Sequence, residues 1–507
     1  MKAFLMYPNR DFDLGAELPT QEAELTQDLG LDVLFDAMAL GDPFLRDVAR
    51  KAVLSSLEDP REIVYRQRVL RDCIEQSTVV REIYAIAVEA IERERKIWRS
   101  FLPSPDSVLH GATEVLDGFM PLLRRLRSIA DAHGGQFQSD GFARFFQMVR
   151  TELDDEYLQC VDDHLKRLRF RHGVLVSARL GKGNKGVDYV LRKPRQFKRG
   201  WWRWLPFRGS SPLTLVIAPR DEAGTQALSE LRRRGINLTA NAVAQAGDHI
   251  LSFFGMVRAE LGFYIACLNL LSQLIAKGEP VCFPESLAGE RPMLSGRGLY
   301  DVCLSLRMRG RVVGNDLDAD DMRLVVITGA NQGGKSTFLR SVGLAQLMMQ
   351  CGMVVAAERF RANTCAGVFT HFKREEDPTM ESGKLDEELG RMSKIADRVT
   401  PHGMVLFNES FAATNEREGA EIASGIIRAL LDANVKVFFV THSFELAHYW
   451  YGEERDVGRF LRADRLADGT RTFRLVEGEP LPTSHGEDLY RRIFEEGEGV
   501  APVTLRA

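Results

Sequence analysis

Three features are absent from this sequence, and each absence excludes a class of protein. No stretch reaches the roughly 18 uninterrupted apolar residues of a membrane span, because the most apolar run, residues 261–276, contains Asn269, Ser272 and Gln273. The N-terminus has one lysine and a short apolar run broken by Pro8, so the apolar core of a secretory signal is missing. The seven cysteines include no C-x-x-C pair, which argues against a zinc site or a disulfide framework and predicts buried thiols in a reducing compartment. We therefore predict a cytoplasmic, soluble protein with no transmembrane segment.

The sequence also has little net charge. A formal charge of −4 and a pI near 6.3 provide no global attraction to nucleic acid or anionic lipid, so any such binding must come from a local patch. Hydrophobic residues make up 45% of the chain and charged residues 27%, which is the balance of a folded protein. The length of 507 residues predicts several domains rather than one core.

The periodicity of apolar residues changes along the chain. From about residue 20 to 170, apolar residues recur at steps of three and four, as in helices. Short β-like runs follow at 171–220, in "HGVLVSARL", "GVDYVLR" and "PLTLVIAP". A long helical stretch over about 222–277 then resembles a lever or arm, and the pattern leaves open one break near "RRGINLT".

The segment 278–292 contains three prolines and two glycines, and we interpret it as a domain boundary. Past it, strand-like and helical patterns alternate, as in a parallel α/β sheet. We therefore predict a multidomain protein: an α-helical core or lever domain over 1–285 with a small β-rich insertion at about 171–220, followed by an α/β P-loop domain over 286–507.

A glycine-rich stretch at 329–337 carries the strongest chemical signal. Gly329, Gly334, Lys335 and Ser336 fit G-x-x-x-x-G-K-[ST], between the strand-like "RLVVIT" and the helical "STFLRSVGLAQLMM". Such glycines let backbone N–H groups surround phosphates at a helix N-terminus, while the lysine reaches the β- and γ-phosphates and the serine binds Mg²⁺. We predict that ATP and Mg²⁺ are bound here, with nucleotide contacts from Gly329, Ala330, Asn331, Gln332, Gly333, Gly334, Lys335, Ser336 and Thr337.

Two later strand-like runs end in chemically capable side chains. "HGMVLFNES" ends in Asn408 and Glu409, and Glu409 is suited to orient or deprotonate an attacking water. "VKVFFVTHSFE" places Thr441 and His442 at a strand tip that can face the γ-phosphate. We predict Lys335, Glu409 and His442 as catalytic residues, and Ser336 and Asn408 as metal-side residues. The alternatives are a solvated glutamate and a structural histidine.

The same motifs resemble those of one family. "TGANQGGKST" is similar to the T-G-P-N-M-G-G-K-S-T loop of the MutS mismatch-repair ATPases, with Asn331 and the doubled Gly333–Gly334 as the distinctive part. "NESFAATNEREG" resembles the family's D-E-x-x-x-G-T-x-x-x-x-G and keeps Thr414 and Gly419, and "THSFELA" resembles T-H-Y-F-E-L. The resemblance covers about 320–450 and implies an ABC/MutS-type ATPase.

The resemblance implies two more nucleotide contacts and a dimer. Phe369 falls in a segment similar to the family's nucleotide-contacting F-T-R, and Ser382 is the best match to the serine that reaches the γ-phosphate of a second subunit, although the spacing is readable one residue either way. Asn408 stands where the family has Asp, which implies slower hydrolysis or a different catalytic state. Nothing in this sequence resembles the family's N-terminal mismatch-reading domain. The short interval between Lys335 and Glu409 disfavours the related ATPases that carry long coiled-coil insertions there.

A basic stretch at 178–210 provides a local patch of positive charge in a chain whose net charge is slightly negative. It contains ten lysines and arginines against the single acid Asp188, interleaved with aromatic residues. Cations with aromatic rings between them suit nucleic acid, although an anionic membrane surface or a solvated loop has the same composition. We predict nucleic-acid contacts by Lys182, Lys185, Arg192, Lys193, Arg195, Lys198, Arg199 and Arg203.

Taken together, the motifs predict a cytoplasmic, homodimeric, MutS-like ATPase. ATP binding and hydrolysis would be coupled to DNA binding, in DNA repair or recombination control. The alternative is a nucleotide-gated, weakly hydrolysing clamp or scaffold that acts on RNA, a membrane surface or a protein partner.

Overall fold

The computed structural model divides the chain into two compact units. The residues described are 1–97, 104–171, 173–193, 214–289, 291–374, 383–453, 458–466 and 470–482. One unit contains Met1–Ala3, Thr78–Phe137 and Ala143–Arg258, and the other contains Phe4–Ser77, Gln138–Phe142 and Ala259–Ala507. The second unit therefore includes N-terminal residues that the predicted division at 285/286 assigns to the helical domain.

Helices dominate the first half of the described chain. Several begin at a side-chain cap followed by proline: Asp42 and Asp59 each accept the N–H two residues on, with Pro43 and Pro60 at the first helical position. The α-helices are α1 (Glu22–Leu29), α2 (Leu31–Ala39), α3 (Pro43–Leu54), α4 (Pro60–Glu75), α5 (Ser77–Lys96), α6 (Pro105–His133), α7 (Asp140–Glu152), α8 (Asp155–Leu168), α9 (Glu222–Ala276), α10 (Val302–Arg307), α11 (Lys335–Gln350), α12 (Lys384–Ala396), α13 (Glu416–Asp432) and α14 (Phe444–Glu453).

The predicted long helix is confirmed. α9 runs through 55 residues without a break at "RRGINLT", and it contributes residues to both units. By length and composition α9 is apolar enough to cross a membrane, contrary to the expectation that no segment would be. However, 72% of its most apolar window is buried inside the fold. It therefore has the character of a core helix.

The strands form one ribbon and two sheets among the described residues. They are β1 (Val176–Leu180), β2 (Gly186–Leu191), β3 (Glu285–Leu287), β4 (Leu294–Leu299), β5 (Asn315–Asp318), β6 (Leu324–Thr328), β7 (Arg359–Asn363), β8 (Val368–Phe372), β9 (Met404–Asn408), β10 (Lys436–Val440), β11 (Gly458–Arg465) and β12 (Arg471–Glu477). The first two predicted β-like runs are confirmed as β1 and β2, which pair antiparallel in the first unit. The third β-like run is wrong as a strand in its described part, since residues 214–218 form none and Leu215 is 89% exposed.

The larger sheet has the order β12-β11-β6-β10-β9-β8. Its strands are parallel except for β12, which pairs antiparallel with β11. Side chains alternate between its two faces. On one face Val326, Phe407 and Phe439 pack in a core with residues of α12, α13 and α14. On the other, Leu406 approaches Gly343 of α11 so closely that a Cβ there would lie 2.6 Å from the leucine. Burial on both faces explains why these strands read as continuous apolar runs.

Register at the carboxyl edge of this sheet brings three chain segments together. Val440, the last residue of β10, pairs with Ile327 of β6 on one side and with Asn408 of β9 on the other. The residues that follow β6, β10 and β9 therefore emerge side by side. A smaller sheet, with the order β3-β7-β4-β5, lies in the same unit.

Candidate active site

The glycine-rich loop between β6 and α11 has a left-handed backbone at several positions. Gly329, Gln332 and Gly334 have φ angles of 109°, 58° and 91°. A Cβ at Gly329 would lie 2.8 Å from the backbone nitrogen of Ala463 on β11, and a Cβ at Gly333 would lie 2.6 Å from the Ala463 Cβ. Conformation and space thus both require glycine at 329, and space requires it at 333. The loop leads directly into the N-terminus of the 16-residue helix α11, where the helix dipole favours an anion.

Lys335, the first residue of α11, is 4% exposed. Its Nζ donates hydrogen bonds to the carbonyl oxygens of Gly329 at 2.9 Å and Ala330 at 3.0 Å. Burial lowers the pKa of the Lys335 ammonium to about 8; the Glu409 carboxylate opposes this shift and Arg471 adds to it. The Lys335 ammonium is therefore hydrogen-bonded to its own loop, and its burial disfavours the charged form. A bound anion would offset this desolvation.

Glu409 and His442 meet at the same edge of the sheet. Because β10 lies between β6 and β9, His442 emerges between the loop and Glu409. The His442 Nε2 lies 2.8 Å from the Glu409 Oε1. This hydrogen bond is the main reason that the pKa of Glu409 lies below its usual range, and Lys335 contributes further. Glu409 is thus an ionised carboxylate at neutral pH, and the His442 imidazole orients it. A group that positions or deprotonates water needs both properties.

Asn408 supplies a buried polar atom with no partner. Among the described residues, nothing donates a hydrogen bond to its side-chain Oδ1, although its backbone oxygen accepts the Lys373 N–H at 2.9 Å. Such an atom suits a water molecule in the coordination sphere of a cation. Within the described parts of the chain, no group of three or more His, Cys, Asp and Glu residues could hold a metal alone. The residues therefore fit a Mg²⁺ ion that takes most of its ligands from water and phosphate, with the Ser336 hydroxyl and Asn408 beside it.

The other predicted loop residues lie in or beside the loop. Ala330 and Gly333 are buried, Asn331 and Gln332 are exposed, and Ser336 and Thr337 are half-buried in the first turn of α11.

Phe369 is not brought to this site. It lies near the start of β8, is 5% exposed and packs in the core against the sheet. β8 is three strands away from β6 in the sheet order, about 14 Å at the usual strand spacing. The resemblance to F-T-R predicts a nucleotide contact for Phe369, whereas the fold packs this side chain in the core. Ser382 lies outside the described residues.

The basic stretch is described only in part. The residues Lys182, Lys185, Arg192 and Lys193 are exposed on the β1–β2 ribbon or beside it. Arg192 donates to the Ser177 hydroxyl at 2.8 Å across the ribbon. The other four predicted contacts, Arg195, Lys198, Arg199 and Arg203, lie outside the described residues.

Sequence reasoning missed the hairpin of β11 and β12, which packs against the loop. Ala463 touches the two glycines described above, and the Phe473 oxygen would lie 3.5 Å from a Cβ at Gly334. Asn315 of β5 fixes this hairpin by donating to the Phe473 carbonyl at 3.2 Å and accepting from the Leu475 N–H at 2.7 Å. These residues are more than a hundred positions from the loop or the hairpin that they contact, so no local pattern could have indicated them.

A mostly parallel sheet with helices packed on both faces, and a glycine-rich loop that leads from β6 into α11, define an α/β domain. Comparison with known proteins agrees. Residues 58–277 match the model of the MutS2 N-terminal domain, and residues 325–475 match that of MutS domain V. The chain belongs to the MutS family.

Individual relatives are distant and longer. Endonuclease MutS2 of Pelotomaculum thermopropionicum is 25% identical over 450 residues, which cover 86% of this chain and 52% of that protein. The DNA mismatch repair protein MutS of Porphyromonas gingivalis is 32% identical over 289 residues, 54% of this chain and 32% of the relative. Endonuclease MutS2 of Thermus thermophilus is 32% identical over 158 residues, 31% of this chain and 21% of the relative. The chain thus spans about half the length of the first of these relatives and less of the others.

Proposed function

We propose that this protein binds ATP with Mg²⁺ at the loop of residues 329–337 and hydrolyses it. The observation that carries the proposal is the meeting of three groups at one sheet edge: the buried ammonium of Lys335, the ionised carboxylate of Glu409 and the imidazole of His442. A lysine on the phosphates and a carboxylate on the attacking water are the parts that phosphoryl transfer requires.

Each group then has a distinct task. Lys335 exchanges its carbonyl partners for β- and γ-phosphate oxygens. Glu409 aligns the attacking water and accepts its proton, while His442 fixes the orientation of the carboxylate and faces the γ-phosphate. The Ser336 hydroxyl and the Asn408 side-chain oxygen, which has no hydrogen-bond partner among the described residues, would hold Mg²⁺ and its waters. When bound, the metal neutralises charge on the β- and γ-phosphates.

The nucleotide cycle is coupled, in this proposal, to DNA binding by a cytoplasmic homodimer in DNA repair or recombination control. Support comes from relatives whose names include DNA mismatch repair and endonuclease, and from the exposed cations of the β1–β2 ribbon. Ser382 would complete the active site of the second subunit.

One observation favours a second candidate, a nucleotide-gated clamp with slow hydrolysis. Asn408 is neutral where a carboxylate would attract Mg²⁺ more strongly. Such a clamp would bind ATP as tightly as a fast ATPase but release phosphate rarely.

Turnover and binding measurements on matched variants test the proposal. Lys335→Ala should lose both nucleotide binding and turnover. Glu409→Gln should keep binding and lose turnover by about a hundredfold or more, the usual contribution of a general base. Glu421→Gln, an exposed carboxylate on α13, is the matched control and should behave as the parent. A parent protein that binds no nucleotide at millimolar ATP would refute the proposal, and tight binding without turnover would favour the clamp.

A further inference from the structure

The turn that carries Glu409 has an unfavourable backbone. Glu409 and Phe411 have φ angles of 55° and 62°, and neither is glycine. A left-handed conformation is unfavourable for an L-residue, because its Cβ approaches the following carbonyl oxygen too closely. The turn therefore needs contacts from neighbouring elements to keep the glutamate at the sheet edge.

Glu388 of α12 provides one of these contacts. Its carboxylate is buried, and its Oε2 accepts the Phe411 N–H at 2.8 Å. The other oxygen, Oε1, is buried without a hydrogen-bond partner among the described residues. Burial raises the pKa of Glu388. The hydrogen bond from the Phe411 N–H does not depend on this shift, because it needs only one acceptor oxygen.

His371 of β8 provides the second contact. Burial, and to a lesser degree Arg391, lowers the pKa of His371 to about 4, so the ring is neutral at physiological pH. Its Nε2 lies 3.0 Å from the Glu388 carbonyl oxygen, which can only accept, so Nε2 carries the proton. Its Nδ1 is then an acceptor, 2.7 Å from the Ser410 hydroxyl, which also lies 2.6 Å from the His371 carbonyl oxygen and donates to it. The ring also stacks on Phe411, with the ring centres 5.2 Å apart.

Hydrogen bonds connect α12 to the end of β8, and the end of β8 to the end of β9. Arg391 donates to the carbonyl oxygen of Phe372, the last residue of β8, at 2.7 Å. The next residue, Lys373, donates its N–H to the Asn408 carbonyl at 2.9 Å. The helix thus contacts the end of β8 and the turn that follows β9.

We propose that Glu388 and His371 are positioning residues for hydrolysis: they hold the strained turn so that the Glu409 carboxylate stays beside His442. This inference rests on the proposed function, because it assigns Glu409 the role described above. The contacts explain why α12 carries a buried acid, whose Oε2 accepts the Phe411 N–H. They also explain why a neutral histidine occupies the centre of this cluster.

Two measurements on Glu388→Ala and Glu388→Gln test the proposal. Hydrogen–deuterium exchange of peptides covering residues 404–415 reports on the Phe411 N–H without requiring turnover. Exchange should be faster in Glu388→Ala and close to that of the parent in Glu388→Gln, whose amide oxygen still accepts. ATP turnover should fall about a hundredfold in Glu388→Ala, as expected for a displaced catalytic group, with ATP affinity unchanged. Glu388→Gln should restore turnover. Glu387→Ala, the exposed neighbour on α12, is the matched control.

The outcomes separate this inference from the proposed function. A parent protein without turnover removes the proposed function, while the exchange data still report whether Glu388 holds the turn. Parent-like exchange and turnover in Glu388→Ala would overturn the inference. If circular dichroism shows Glu388→Ala to be unfolded, Ser410→Ala takes its place: it deletes only the hydroxyl bonded to His371 and should lower turnover at unchanged ATP affinity. Parent-like turnover in folded Ser410→Ala would then refute the proposal.

Discussion

ATP affinity should fall as the pH rises from 7 to 9, because of the desolvated lysine in the loop. In the nucleotide-free protein the pKa of Lys335 is lowered from 10.5 to about 8. A bound phosphate supplies the counter-charge that burial removes and returns the pKa toward 10.5. Binding therefore takes up a proton at any pH between these two values, and the sign follows: affinity is highest below pH 8 and declines above it.

The size of the effect follows from the shift. With a pKa of about 8 free and about 10.5 bound, Lys335 is largely protonated in both states at pH 7. At pH 9 about nine in ten free molecules have lost the proton and must regain it to bind. The dissociation constant for ATP should therefore rise about tenfold between pH 7 and pH 9, or about 1.4 kcal/mol. The γ-phosphate contributes little to this change, since its last proton is lost near pH 6.

Equilibrium titration with a fluorescent ATP analogue at constant ionic strength measures this dependence. Lys335→Met should bind weakly at every pH and show no slope. His442→Asn should retain the slope, which would show that the lysine rather than the imidazole titrates. Circular dichroism at each pH checks that the fold persists. An affinity that stays constant from pH 7 to pH 9 in the parent would refute the reasoning.

Two further predictions concern the metal and the ribbon. Asn408→Asp should lower the Mg²⁺ concentration for half-maximal turnover by about tenfold or more, because it adds a charge near the ion; superimposable Mg²⁺ titrations would show that Asn408 does not sense the metal. Lys182→Glu with Lys185→Glu should weaken binding to all DNA probes and reduce the salt slope by about 0.9 for each lost phosphate contact, without affecting ATP binding; unchanged DNA affinity together with lost liposome association would favour a membrane surface.

The elements around the loop were predictable because their patterns are local. "RLVVIT" and the helix after it are β6 and α11, and the runs before Glu409 and His442 are β9 and β10. Each signal fits within about fifteen residues and reflects burial on one or both faces. The long helix α9 was predictable for the same reason.

Other features depend on where the chain packs. The sequence around Phe369 is similar to a nucleotide-contacting segment, and the run at 214–218 has the composition of a strand. In the fold, Phe369 packs in the core and residues 214–218 form no strand. The same applies to cysteine: Cys160 is exposed and Cys282 is half-buried, so the prediction of buried thiols holds for the other five and is wrong for Cys160. An apolar or thiol side chain indicates that burial is favourable, not that a partner surface is present.

The candidate active site depends both on local sequence patterns and on the packing of distant parts of the chain. Asn408 and Glu409 at the end of an apolar strand would be ordinary edge residues in another strand order. Here β10 separates β9 from β6, so Glu409 and the loop are two strands apart, about 10 Å at the usual spacing. In the proposed function a phosphoryl group and an attacking water occupy that gap, and the His442 Nε2 lies 2.8 Å from the Glu409 Oε1 beside it. Motif spacing indicates which residues can do chemistry, whereas strand order determines the distance between them. The left-handed turn held by Glu388 and His371 determines the direction in which the carboxylate points. Because these two residues lie 21 and 38 positions before Glu409 on separate elements, only the folded chain brings them to it.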